Sequence, residues 1–249
     1  MTYMAAIDQG TTSARTIIYN QLGEIVAEHR TAIHSLFPQN GWVEQHPEDL
    51  WASALTTWRS ALEKAGLSGS DIAMIGITNQ RETTLMWDAE TGQPIYNAIV
   101  WQDRRTKEHC DELKSQGVES LVQQKTGLLL DPYFSATKIA WILQHVPQAK
   151  RLAAQGRLRF GTVDTFILWR LTEGQVFATD ATNASRTLLF NIFSKSWDRE
   201  LLDIFQIPAS ILPDVRNTVD DFGQTTCGEW QAVIPIRAVV GDQQAALIG

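Results

Sequence analysis

The sequence predicts an α/β domain with a mixed sheet, and the N-terminal part of the chain carries the main evidence. Three short strand-like segments separated by turn residues form a predicted meander over 4–8, 14–19 and 24–30. A helix is predicted over 47–65, and the apolar segment 72–78 that follows it has the composition of a buried strand. A helix that leads into a buried strand indicates a crossover that adds this strand to the first sheet.

The helix over 47–65 has the clearest pattern in the chain. Pro47 suits a first helical position, and Glu48 and Asp49 suit the positive end of the helix dipole. Gly66 is a typical residue to end a helix. Apolar residues recur at every fourth position along one face, at Leu50, Ala54, Trp58 and Leu62.

Shorter elements are predicted along the rest of the chain. They are two strands in 83–101, a helix over 104–116, a helix capped by Ser135, a strand and a helix in 158–172, a helix capped by Asp198, a strand over 236–240 and a helix capped by Asp242. The alternation continues without an internal repeat, a low-complexity tract or a charged linker. A chain of this length can form one large domain or two small ones.

Composition argues against several classes of function. The 249 residues are 44% apolar and 20% charged, as in a packed globular domain, and the net charge is -7. This charge argues against a nucleic-acid or anionic-membrane surface, and no stretch approaches the roughly 20 apolar residues of a membrane span. The two cysteines and five histidines lack metal-ligand spacing, and no leader pattern opens the chain. We expect a cytoplasmic protein with reduced thiols.

The turn after the first predicted strand has the composition of a phosphate-binding loop. Gly10 lets the backbone approach a ligand closely, and successive backbone N–H groups in such a turn bind anions. Asp8, at the strand end, is suited to hold a hydrated Mg²⁺. Further donors follow in Thr11, Thr12, Ser13 and Arg15. An ordinary hairpin with a polar tip has the same composition, and spacing alone favours that interpretation.

A second polar segment follows the predicted strand 72–78, at the strand end where α/β folds bind ligands. Arg81 and Glu82 suit a polyol, because a guanidinium donates to hydroxyl oxygens and a carboxylate accepts from hydroxyl protons. Trp101 offers an apolar face to carbon atoms, and Tyr133 offers a hydroxyl. A solvated loop and ordinary core aromatics remain the alternatives for these residues.

Asp242 follows the last predicted strand directly, after Gly241. A carboxylate beside a substrate hydroxyl can accept the proton of that hydroxyl as phosphorus is attacked. The same residue type commonly caps helices, and the sequence alone favours the cap.

Taken in order, these motifs resemble the glycerol kinases of the sugar-kinase family, whose members share an actin-like, ribonuclease-H-like fold. The resemblance covers essentially the whole chain and includes IDQGTTSAR, GITNQRETTLMW, YNAIVWQDRR, TGLLLDPYFSATKIAWIL, GTVDTFILWRLT, TNASRTLLFNI and GDQQAALIG. The runs NQRET and DPYFSATK favour glycerol kinases over pentulose or gluconate kinases.

The resemblance implies ATP-dependent phosphorylation of glycerol to glycerol 3-phosphate, and it implies a role for each candidate residue. Asp8 would be the residue associated with Mg²⁺, and Asp242 the catalytic base. The ATP phosphates would contact Thr11, Thr12, Ser13 and Arg15, and glycerol would contact Arg81, Glu82, Trp101, Tyr133, Asp242 and Gln243. A kinase for another small polyol or ketose, and a non-catalytic polyol-binding protein, are the alternatives.

Two departures from the family pattern accompany the resemblance. The chain stops at Gly249, about where the family's first domain ends, so the resemblance implies a single substrate-binding domain over residues 1–249. We therefore expect the nucleotide domain that follows in relatives to be absent, and residues 1–249 to fold but to phosphorylate glycerol poorly. Residues 226–235 lack the glycine-rich loop and arginine of relatives regulated by fructose 1,6-bisphosphate, and Glu229 would repel a phosphate. We also expect a homo-oligomer.

Overall fold

The computed structural model describes residues 2–248 and is built from strands and helices that alternate along the chain. In chain order they are β1 (Tyr3–Gln9), β2 (Ser13–Tyr19), β3 (Ile25–Ala32), β4 (Glu44–Gln45), α1 (Pro47–Ala65), β5 (Ile72–Asn79), β6 (Leu85–Asp88), β7 (Ala98–Ile99), α2 (Lys107–Ser115), α3 (Glu119–Thr126), α4 (Ser135–His145), α5 (Ala149–Ala154), β8 (Leu158–Gly161), α6 (Val163–Leu171), β9 (Ala178–Asp180), α7 (Ala181–Ala184), β10 (Phe190–Asn191), β11 (Ser196–Trp197), α8 (Arg199–Phe205), β12 (Asp214–Arg216), β13 (Ile236–Gly241) and α9 (Asp242–Ile248).

The central sheet has five strands in the order β13-β5-β1-β2-β3. Strands β1, β2 and β3 form the predicted antiparallel meander, and β5 and β13 join it in parallel with β1. The predicted crossover is confirmed, because α1 connects the meander to β5. In the register of the sheet, Gln9, Asn79 and Gly241 lie side by side at the carboxyl ends of three parallel strands. The segments that follow these strands must therefore meet at one edge.

Helix α1 has the bounds that the sequence predicts, and it covers one face of the sheet. It ends at Gly66, whose φ of 65° lies in the left-handed region that glycine tolerates. Its buried face includes Trp58, which stacks on Trp230 with the ring centroids 4.5 Å apart. This aromatic pair fixes the helix against the segment that leads into β13.

The segment 226–235 packs against α1. Its turn over Gly228–Trp230 buries Trp230, and the Glu229 carboxylate accepts a hydrogen bond of 3.2 Å from Trp51 Nε1. The absence of a fructose 1,6-bisphosphate site in this segment stays a prediction.

A second hydrophobic core lies among α2–α5, α8 and the β6–β8 pair. Its fully buried members include Val122, Leu130, Ile139, Ile142, Leu158, Leu189 and Leu201.

In residues 2–248, no helix combines the length and apolar character needed to cross a bilayer. Cys110 and Cys227 are buried free thiols, as the sequence predicts.

The predicted cap at Ser135 is wrong. The backbone of Phe134 occupies the cap position, and Ser135 is the first residue of α4 without a side-chain capping bond. Its hydroxyl instead donates to the carbonyl oxygen of Glu82 at 3.2 Å. This tertiary contact gives the serine hydroxyl a partner outside its own helix, which local sequence patterns cannot reveal.

Two other predictions differ in detail from the structure. The strands predicted in 83–101 exist, but β6 pairs mainly with β8 and β7 pairs with β4. Both of those partners are distant in sequence. The predicted helix over 104–116 begins at Lys107, because Asp103 turns back to accept hydrogen bonds from the backbone and guanidinium of Arg105. The predicted cap at Asp198 is confirmed by bonds from the backbone of Glu200 and Leu201.

Candidate active site

Three segments meet at the carboxyl edge of the central sheet. They are the turn after β1, the segment 80–84 after β5, and helix α9 after β13. The backbone N–H of Gln80 donates to the carbonyl oxygen of Gln9 at 2.7 Å, which ties the first two segments together. The third is tied to α7 by a bond of 2.8 Å from the backbone of Gly241 to the hydroxyl of Thr182.

The turn after β1 is tight and is held from several sides. The backbone N–H of Gly10 donates to the carbonyl oxygen of Ser13 at 3.0 Å, and a Cβ at Gly10 would lie only 3.0 Å from that oxygen. The Ser13 hydroxyl accepts from Arg30 Nε at 2.7 Å, whereas Thr12 is exposed. The turn therefore presents Thr12 to solvent on a fixed backbone, as an anion-binding loop requires.

Asp8 and Arg15 are paired across β1 and β2, with Arg15 Nη2 3.5 Å from Asp8 Oδ2. Arg15 also lies 3.6 Å from the carboxylate of Glu28. Burial raises the pKa of Asp8, Arg15 partly offsets this effect, and the carboxylate of Asp242 raises the pKa further. Asp8 is the penultimate residue of β1 and Asp242 follows β13 directly, and both strands flank β5, so the two carboxylates lie at the same edge of the sheet.

Arg81 lies directly against the end of β13. It is 9% exposed, and a Cβ at Gly241 would come within 2.4 Å of Arg81 Cδ, so glycine is required under its side chain. Arg81 Nε lies 3.4 Å from Asp242 Oδ1, and Arg81 Nη1 donates a hydrogen bond of 3.3 Å to Gln244 Oε1. These contacts bring the predicted base and the predicted polyol-binding arginine together.

Glu82 is buried at 2% exposure and has a φ of 59°, a left-handed conformation that is uncommon outside glycine. Its carboxylate accepts a hydrogen bond of 2.6 Å from Arg186 Nε. Burial raises the pKa of Glu82, whereas the hydrogen bond from Arg186 and the charge of Arg81 lower it. The strained backbone and the two flanking guanidinium groups fix the direction of this carboxylate.

Arg186 is a residue that sequence reasoning missed. It lies within the run TNASRTLLFNI, but nothing in its spacing indicates a contact with Glu82, which is 104 residues away. Its guanidinium also lies 4.8 Å from the centroid of the Phe134 ring and 5.8 Å from that of Tyr133.

An aromatic wall closes one side of the site. The rings of Trp101 and Tyr133 lie 5.4 Å apart at an angle of 55°, and both are partly exposed. Trp101 Nε1 donates to the hydroxyl of Thr11 at 2.9 Å. The polyol residues and the phosphate loop predicted from sequence are therefore in direct contact.

Asp242 contacts Arg81, whereas Gln243 is exposed to solvent. Asp242 is the first residue of α9, so the predicted cap position is wrong by one residue; its Oδ1 accepts from the backbone N–H of Gln243 at 2.8 Å, which is not the bond to the second or third helical N–H that defines a cap. Gln243 itself is exposed, and it is Gln244 whose side chain contacts Arg81. The role predicted for Gln243 as a polyol contact stays a prediction.

The carboxylates of Asp8 and Asp242 suit Mg²⁺. Within residues 2–248, no group of three or more His, Cys, Asp or Glu side chains could hold a metal ion. Mg²⁺ is usually bound through one or two carboxylates together with water and substrate phosphates, so two carboxylates are sufficient. The hydroxyl oxygen of Thr78, which pairs with Asp8 in the sheet register, is buried and has no hydrogen-bond partner among the described residues.

Lys138 lies behind the site and is fully buried. Its Nζ donates to the carbonyl oxygen of Tyr133 at 2.8 Å. Burial lowers the pKa of Lys138 to about 7, although the carboxylates of Glu82 and Asp103 favour its charged form. This amine therefore titrates near neutral pH in the folded state and near pH 10.5 in the unfolded chain.

We expect the free energy of unfolding to rise with pH above about 7 because of Lys138. Between the folded and unfolded pKa values the unfolded chain binds more protons, so stability increases as pH rises. The slope is at most about 1.4 kcal/mol per pH unit, the value for one proton. Urea unfolding at pH 7 and pH 9 measures it. Lys138→Met should reduce the rise of the free energy of unfolding with pH, whereas the control Lys107→Met, at an exposed position, should not. Equal slopes against pH in the unaltered protein and both variants would show that Lys138 is not the group responsible.

The profile of the N-terminal domain of the FGGY family of carbohydrate kinases matches residues 3–249. The chain belongs to the FGGY family. Among curated relatives of this FGGY chain, glycerol kinase from Sinorhizobium fredii is 56% identical over 247 residues, which are 99% of the chain and 50% of that protein. Glycerol kinase from Rhodopseudomonas palustris is also 56% identical, over 100% of the chain and 50% of its own length.

Solved structures agree with the family assignment. Plasmodium falciparum glycerol kinase with ADP superposes with a TM-score of 0.95 at 34% identity, and the match covers 100% of the FGGY chain and 50% of the solved chain. Xylulose kinase from Lactobacillus acidophilus has a TM-score of 0.87 at 21% identity, over 100% and 50% of the two chains, which supports the fold alone. The predicted actin-like, ribonuclease-H-like α/β fold is confirmed. The chain spans about half the length of the curated relatives that it matches.

Proposed function

We propose that this chain forms the polyol site, the phosphate loop and the catalytic base of a kinase that transfers the γ-phosphoryl group of ATP to a terminal hydroxyl of glycerol. The observation that carries the proposal is the contact between Arg81 and Asp242, with Glu82 beside Arg81, at the edge where three parallel strands end. The glycerol kinase names of relatives at 56% identity supply the substrate.

The polyol is oriented by groups of opposite hydrogen-bonding character. Arg81 only donates hydrogen bonds and Glu82, when ionised, only accepts them, so together they recognise both the oxygen and the proton of neighbouring hydroxyls. The ring faces of Trp101 and Tyr133 contact the carbon side of a small polyol. Arg186 and the left-handed backbone hold Glu82 in position before the substrate arrives.

Asp242 serves as the general base. A terminal hydroxyl oxygen attacks the γ-phosphorus, its proton passes to the Asp242 carboxylate, and the bond to the bridging oxygen of the leaving ADP breaks. Arg81 Nε lies 3.4 Å from Asp242 Oδ1, so the base and the polyol-binding arginine act on the same substrate hydroxyl. The hydrogen bond from the Gln243 backbone leaves the remaining lone pairs of the carboxylate available to accept the proton.

The turn after β1 receives the transferred phosphate. Its backbone and the hydroxyls of Thr11, Thr12 and Ser13 donate to phosphate oxygens, and Arg15 adds positive charge when it is released from Asp8. Asp8 would hold Mg²⁺, which when bound would supply neutralising charge for the phosphates.

The experiment that tests the proposal is a coupled assay of the full-length protein with MgATP and a panel of acceptors. Glycerol should give the highest kcat/KM, above dihydroxyacetone, erythritol and xylulose. A higher value for another acceptor would replace glycerol by that polyol or ketose. Binding of a polyol without any turnover would favour the non-catalytic alternative. A homo-oligomer also stays a prediction, which sedimentation velocity of the same sample can test.

A further inference from the structure

A closed ring of hydrogen bonds links the phosphate loop to the polyol wall. Trp101 Nε1 donates to the hydroxyl of Thr11 at 2.9 Å, and the backbone N–H of Trp101 donates to the hydroxyl of Thr83 at 3.3 Å. The Thr83 hydroxyl donates to Gln80 Oε1 at 3.0 Å, and Gln80 Nε2 donates to Gln45 Oε1 at 2.8 Å. Gln45 Nε2 closes the ring by donating to the carbonyl oxygen of Thr11 at 2.7 Å.

The three linking residues of this ring are shielded from water. Gln45 and Thr83 are 0% exposed, and Gln80 is 1% exposed. A buried amide or hydroxyl that loses its partner leaves a donor or acceptor unsatisfied, which is costly away from solvent. The ring therefore resists opening at any single link.

The direction of the bonds decides what Thr11 can offer to a ligand. Two routes of donors start at Trp101 and end at Thr11, one direct and one through Thr83, Gln80 and Gln45. Thr11 receives both routes as an acceptor, at its hydroxyl and at its carbonyl oxygen. Its hydroxyl proton is left to donate toward the loop, which suits a phosphate oxygen.

We infer that Gln45, Gln80 and Thr83 are positioning residues that couple the polyol subsite to the phosphate subsite. A polyol packed on Trp101 fixes the indole, and the indole N–H orients the Thr11 hydroxyl. The route through Thr83, Gln80 and Gln45 holds the Thr11 carbonyl oxygen, and so keeps the backbone of Thr11 in place for that bond. A nucleotide phosphate then binds to a Thr11 hydroxyl that is already oriented. Nucleotide binding therefore does not include the entropic cost of ordering that hydroxyl. By linkage, the nucleotide must tighten polyol binding by the same factor. The inference rests on the proposed function, because it takes glycerol and ATP as the two ligands.

Calorimetric titration of the full-length protein tests the coupling. Glycerol is titrated with and without a saturating non-hydrolysable ATP analogue and Mg²⁺, and the ratio of the two dissociation constants is the coupling factor. We expect a factor of at least about 5 in the unaltered protein, the lower end of the range typical for coupled sites. Thr83→Val has nearly the same shape but no hydroxyl, so it opens the route through Gln80 and Gln45, leaves the direct bond from Trp101 to Thr11 intact, and should lower the factor below that of the unaltered protein.

Matched variants separate coupling from stability. Thr83→Ser restores the hydroxyl and should restore the factor, whereas Ser35→Ala removes only the peripheral 3.4 Å contact of Gln45 and should leave it unchanged. If Thr83→Val does not fold, Gln45→Met breaks the same ring at another link and replaces it. Two results would overturn this inference alone. One is a coupling factor in the ring variants that is as large as in the unaltered protein, and the other is a coupling factor of one in the unaltered protein. Absence of glycerol binding to the unaltered protein would overturn the proposed function and the inference with it.

Discussion

Asp242→Asn in the full-length protein is expected to lower kcat by about 10²–10⁴-fold, the usual contribution of a general base. The amide that replaces the carboxylate cannot take a proton from the attacking hydroxyl at neutral pH. It can still accept the hydrogen bond that Asp242 receives from the backbone of Gln243, because the amide oxygen of asparagine is also an acceptor. Glycerol affinity should therefore stay within a few-fold, and steady-state kinetics together with calorimetry measure both quantities.

This substitution separates the two functions that the sequence left open for Asp242. If the residue were only a helix cap, Asn would replace it with little change, and turnover would stay within about threefold of the original, well below the range expected for a base. Asp198→Asn is the matched control, since Asp198 caps α8 through the backbone of Glu200 and Leu201. It should leave kcat unchanged.

Arg81→Ala and Glu82→Ala are each expected to weaken glycerol binding by roughly 1–3 kcal/mol, the scale of lost hydrogen bonds to charged groups. Arg81→Ala also removes the cation 3.4 Å from Asp242, so it should lower kcat in addition. Glu82→Ala removes the only predicted acceptor of the pair and leaves Arg186 without its 2.6 Å partner. Calorimetric titration with glycerol measures the loss of affinity in each variant.

The control for Glu82 is Glu90→Ala, which removes an exposed glutamate whose partner is Arg157. A surface ion pair of this kind contributes little, so both glycerol affinity and stability should stay close to those of the unaltered protein. Unchanged glycerol affinity in both Arg81→Ala and Glu82→Ala would refute the polyol site proposed here. A thermal melt of each variant shows whether a loss of binding reflects loss of fold.

Much of the site follows from local sequence because its residues occur directly after strands. Asp8, Arg81 and Asp242 follow or end β1, β5 and β13, and parallel strands bring their carboxyl ends to the same edge. The α1 bounds were equally predictable, because a proline start, an apolar face and a glycine end all lie within one segment. Ser135 shows the limit, since its hydroxyl bonds to Glu82 instead of capping its own helix.

The sequence by itself determined the α/β class, the meander, the helix over 47–65 and the chemical character of the candidate residues, because each of these depends on neighbours in the chain. Only the tertiary structure decided that Arg186 supports Glu82, that Gly241 lies under Arg81 and that Gln45 closes a ring with Trp101 and Thr11. Those contacts join residues that are far apart in sequence. No local periodicity or spacing records which buried donor meets which acceptor, so that information exists only once the chain has packed.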